Sequence, residues 1–166
     1  MKYSIIYIIF FFSIVGFGQN NPFTKLKFDK VVIYDFGGMR EGDFSIIDKN
    51  GQLAKSVTKQ VVLEQNTVSM LNRKLEDKNS FGELPPSCFD PHLGIVYYFK
   101  EKPVAYISIC MDCNRLDSSK ELDSQKQGED VIGDKVYYNL DGMSDLFRKY
   151  LNGLLKKYNF SHQIKE

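Results

Sequence analysis

Gly94-Ile95-Val96-Tyr97-Tyr98-Phe99-Lys100 and Pro103-Val104-Ala105-Tyr106-Ile107-Ser108-Ile109-Cys110 are two apolar, β-branched and aromatic runs, separated only by Glu101-Lys102. Residues of this kind suit a pleated, buried surface, and so short a break between two such runs reads as a hairpin in the middle of a sheet. Antiparallel pairing about Glu101-Lys102 makes opposite residues sum to about 203, which sets residue 93 opposite Cys110 and His92 opposite Met111. The residues on either side of the hairpin therefore meet at its open end.

Upstream, residues 27 to 36 form another β-branched and aromatic run that stops at Gly37-Gly38. Residues 44 to 48 and 53 to 63 flank Asn50-Gly51, a dipeptide that tolerates positive φ, and are expected to pair as strands about it. Val68, Leu71 and Leu75 recur at helical spacing and predict a helix over 65–77, ended near Asn79 and Gly82. Downstream, residues 116 to 130 are polar, charged and without period, and are expected to form a mobile loop. Residues 135 to 140 give a last short strand. Met143, Leu146, Phe147, Tyr150, Leu151, Leu154, Leu155 and Tyr158 then mark one face of a C-terminal helix, with Asp141 or Ser144 as its cap. The expected fold class is α+β: an antiparallel sheet of five or six strands with two helices packed on it.

The N-terminus reads differently. Lys2 is the only charge before Lys25, and the apolar run from Ile5 to Val15 is followed by Gly16 and Gly18. This is the pattern of a signal peptide over residues 1–18, cut between Gly18 and Gln19. A bilayer span needs about 20 apolar residues, and the run closes too early for one. Residues 19–166 are then a single α+β domain, secreted or periplasmic, with no membrane attachment after cleavage.

Charge excludes further classes. The chain has 22 Lys and Arg against 21 Asp and Glu, and the leader removes one lysine, leaving a neutral domain with no basic stripe for nucleic acid. Several enzyme signatures are also missing. Gly37 and Gly42 have the outer spacing of a phosphate loop, but Asp43 and Phe44 stand where it needs lysine and a hydroxyl. The only histidines are His92 and His162, too far apart for a zincin helix, and His162 is expected to lie in a solvated tail. No Gly-x-Ser-x-Gly elbow occurs, and Asn114 after Cys113 excludes the usual c-type haem attachment.

What remains is Cys88-Phe89-Asp90-Pro91-His92 before the hairpin and Cys110-Met111-Asp112-Cys113 after it. Pro91 bends the approach, so Cys88 can fold back over the hairpin mouth. Cys88, His92, Cys110 and Cys113 are thus a candidate metal site for zinc or cuprous copper. In an oxidising compartment the three cysteines are equally candidates for one disulfide, Cys88 with Cys110 or Cys110 with Cys113, with one thiol left over. A working redox pair is the third alternative. A catalytic Cys-x-x-Cys normally opens a helix that lowers the thiol pKa, whereas Asn114 to Ser119 begin a polar stretch.

Residues 88 to 113 also resemble a group of small, mostly exported bacterial proteins of unassigned activity that share Cys-x-x-Pro, a hydrophobic hairpin and Ile-Cys-x-x-Cys. Cys88, Cys110 and Cys113 match residue by residue. In many of those sequences the histidine stands one place later, where this chain has Leu93. The resemblance transfers no activity. The sequence therefore points to an exported, non-enzymatic binding or structural domain with a protein or small-molecule partner; the alternative is a thiol-based redox enzyme or metal carrier.

Overall fold

The computed structural model describes residues 22–84 and 87–164; the signal peptide expected over 1–18 lies outside them. The chain runs through β1 (Lys30–Phe36), β2 (Val57–Val62), α1 (Gln65–Glu76), β3 (Phe81–Glu83), β4 (Leu93–Phe99), β5 (Lys102–Cys110), β6 (Arg115–Ser118), β7 (Lys126–Ile132), β8 (Lys135–Leu140), β9 (Gly142–Met143) and α2 (Asp145–Lys157). Five strands form one antiparallel sheet in the order β2-β1-β4-β5-β6, and β3 with β9 and β7 with β8 make two small ribbons. The fold is α+β.

Strand alternation divides the sheet into two faces. Val31, Ile33, Leu93, Ile95, Tyr97, Ala105, Ile107 and Ile109 point to one side, where Val68, Leu71 and Leu75 of α1 and Phe147, Leu151 and Leu155 of α2 cover them. Val32, Tyr34, Phe36 and Val96 point to the other, under Ile46, Ile47 and Ala54 of the long β1–β2 connection. Ser144 caps α2 by accepting from Phe147 N–H. Within the eight-residue stripe expected for this helix, Leu146 is 67% exposed, because the buried arc is set by Phe147, Leu151 and Leu155.

Three local expectations are corrected. The hairpin turn is Lys100-Glu101, both at positive φ, not Glu101-Lys102. Opposite residues therefore sum to 202 from Leu93↔Ile109 to Tyr97↔Ala105, one less than expected, and a bulge at Tyr97/Tyr98 shifts the tip once more. Asp29 accepts from Lys100 N–H, which helps hold this turn.

The expected pair of strands about Asn50-Gly51 shrinks to one bridge, Ile47↔Leu53, and the following strand begins only at Val57. The turn itself is real, since Asp48 Oδ1 accepts from the N–H groups of Asn50 and Gln52. Residues 44 to 48 are occupied differently: Ile46 lies on Gly94, where an added Cβ would clash with the Ile46 side chain, and Ile46 N–H donates to Ser108 Oγ. A central strand holds glycine here because another segment crosses it at contact distance.

The stretch 116–130, expected as a mobile loop, contributes the edge strand β6 and most of β7. Leu116 and Leu122 are buried in the core. An outer strand needs only one inward residue, so β6 carries no visible apolar period.

Candidate functional site at the hairpin mouth

β1 ends, β4 begins and β5 ends at the same edge of the sheet, and the chemistry-bearing residues collect there. Residues 111 to 114 form a tight turn leading into β6, closed by Asn114 at φ 49°. Cys110 precedes this turn, Cys113 lies within it, and both are buried; Cys88, arriving from outside, is exposed.

Cys88 Sγ and Cys113 Sγ lie 2.7 Å apart. Cys113 N–H in turn points at Cys110 Sγ, 3.0 Å away, so the buried third thiol sits behind the pair. The sulfur pair in direct contact is Cys88 with Cys113, which differs from both pairings favoured by the sequence. The one-residue shift in register bears on this: Ile109, not Cys110, is opposite Leu93, and Cys110 is buried.

Neither thiol of the Cys88–Cys113 pair is activated as a nucleophile. The hydrogen bond to Cys113, then burial, raises the Cys88 thiol above its ordinary range. Burial, with the Cys110 contact, does the same to Cys113. No helix follows the turn to offset this.

The segment from Cys88 to His92 is fastened at Phe89, Asp90 and His92 as well as at Cys88. Arg115 lies over the Phe89 ring at 4.9 Å. Asp90 Oδ1 accepts from Met39 N–H at 2.7 Å. His92 N–H donates to Ile109 carbonyl, and His92 carbonyl accepts from Phe36 N–H, which ties the segment to β5 and β1 together.

The His92 ring does not turn toward the sulfurs. Its Nδ1 meets Phe36 carbonyl at 3.1 Å, and Nε2 lies 3.5 Å from Asp90 Oδ2. The ring stacks on His162, with centroids 3.8 Å apart and planes within 9°. Among the described residues no three His, Cys, Asp or Glu side chains are placed to hold one metal ion.

His162, expected in a solvated tail, is instead docked. Its Nδ1 is 3.0 Å from Asp35 Oδ1, while Ser161 N–H and Ser161 Oγ both donate to Asp35 Oδ2. Asp35 is 3% exposed. Burial alone would raise its carboxyl pKa, but the Ser161 N–H, the His162 ring and the Ser161 hydroxyl together hold it below the ordinary range. Asp35, Asp90, Arg115, Ser161 and His162 were not visible as a group in the sequence. The one signal was Asp35 itself, a lone carboxylate in an apolar strand, which demands a partner when buried.

Among the described residues no helix is long and apolar enough to cross a membrane. No family model matches the chain, and no curated protein or solved structure matches it at a significant level.

Proposed function

We propose that this chain is an exported, non-enzymatic binding or structural domain in which a disulfide between Cys88 and Cys113 fastens residues 87–92 across the mouth of the β4–β5 hairpin. The approach of the two sulfurs to 2.7 Å carries this reading. The structure holds both as free thiols in hydrogen-bond contact, and a disulfide of about 2.05 Å needs the sulfurs to close by less than about 1 Å more. The raised thiol pKa values favour a bond that stays formed over one that turns over. Export is supported by the leader pattern between Ile5 and Gly18, and the odd cysteine is accommodated by burying Cys110.

Equilibration in defined glutathione and dithiothreitol buffers tests the reading. A structural bond has a reduction potential below about −300 mV. A value between about −270 and −120 mV is that of the known oxidoreductases and would favour the redox enzyme. Stoichiometric zinc or copper in protein purified from its exported compartment, with all three thiols protected, would favour the metal carrier built on Cys88, Cys110 and Cys113.

A further inference from the structure

The β7–β8 ribbon leaves the body of the molecule as an arm. Its root is clamped: the buried Gln125 side chain donates to the carbonyls of Leu116 and Asp141, and Asp141 N–H returns to Gln125 carbonyl. Beyond that root β7 and β8 pair only with each other.

The arm is unusually apolar for something in water. Of the twelve large hydrophobic side chains exposed among the described residues, six lie here: Val131, Ile132, Val136, Tyr137, Tyr138 and Leu140. Val131 is opposite Val136, and strand alternation puts Tyr138 and Leu140 on the same face as Val136. The stem of Lys126 extends that face, with its ammonium 4.9 Å from the Tyr138 ring centre. A two-stranded ribbon is marginal by itself, and three or more strands are needed for an independently stable sheet.

The two edges of the arm are not alike. β7 begins with Lys126 and is bent by a bulge at Gly128, both usual protections of an outer strand. β8 has no bulge of its own, no proline and no glycine, and its single charge is Lys135 at one end. It is the unguarded edge.

We infer that the arm is a self-association site, with β8 of one copy adding antiparallel to β8 of a second copy to give a four-stranded sheet. The inference goes beyond the function proposed above and does not depend on the sulfur pair. A two-fold axis normal to the sheet at Tyr138 sets Tyr138 opposite Tyr138, Val136 opposite Leu140 and Tyr137 opposite Asn139 of the other copy. No like charges meet in that register, and the apolar faces of the two arms become continuous. The protected β7 edges then lie outermost, so the assembly closes at two copies.

Sedimentation of the purified protein across a concentration series tests this. The expected result is twice the chain mass, falling to the single-chain mass in Tyr137→Lys/Tyr138→Lys, which opposes lysines across the axis. Tyr137→Thr/Tyr138→Thr, which keeps strand propensity, should weaken association at least tenfold with unchanged near-ultraviolet circular dichroism. Leu146→Lys, on an equally exposed residue of α2, should leave the dimer intact. A single-chain mass at every concentration, a dimer that survives both tyrosine variants, open-ended assembly, or association only with a different protein would each overturn the inference.

Discussion

At the level of single residues, the account rests on two clamps at one edge of the sheet. Cys88 and Cys113 are 25 positions apart, and the bond proposed between them would close a loop that restricts the unfolded chain by about 3 kcal/mol. Cys88→Ser and Cys113→Ser should each lower stability by roughly that amount. The double variant should cost no more than either alone, because both remove one bond; additive losses in urea unfolding would mean that the sulfurs act separately. The second clamp is Asp35 with Ser161 and His162. The carboxyl pKa is lower in the folded protein than in the unfolded chain, so its stabilisation is complete above about pH 4 and drains away as pH falls through the folded value. Asp35→Asn should cost about 2 kcal/mol near neutral pH and flatten the acid limb of the stability profile. An unchanged acid limb would remove this carboxylate from the account.

At the level of elements, the parts with strong periodicity were legible and the parts held by backbone alone were not. The β4–β5 hairpin, α1 and α2 repeat apolar residues at the spacing their geometry demands, and their positions follow to within a few residues. β6 does not, since an edge strand with only Leu116 fully buried has nothing to repeat. The crossing of Ile46 over Gly94 left one trace, a glycine in an otherwise bulky central strand. The docking of His162 left none in its own neighbourhood, because its partner Asp35 is 127 positions away. Within α2, Leu151→Ala should cost about 2 to 5 kcal/mol, as for other fully buried leucines. Leu146→Ala should change stability by only a few tenths, roughly the scatter of surface substitutions. Equal effects of the two in thermal unfolding would mean that the helix presents a different face to the sheet.

For the whole molecule, residues 87–92 act as a crosspiece joining parts that are distant in sequence: the end of β1, the Cys110–Cys113 turn and the C-terminal tail. The candidate site was legible in the sequence as a gathering of cysteines at the hairpin mouth. Its wiring was not, because a one-residue shift in register and the return of the tail both arise from tertiary packing. The proposed export makes a second claim at this scale: protein recovered from its exported compartment should begin at Gln19, and an intact Met1 there would remove the oxidising environment from the argument.

The most direct test of the central claim is a thiol count and peptide map on protein unfolded without reductant. Alkylation in denaturant, followed by proteolysis and mass spectrometry, should find one labelled cysteine, Cys110, and a disulfide-linked pair of peptides containing Cys88 and Cys113. Three labelled cysteines, or a linkage that includes Cys110, would contradict the account.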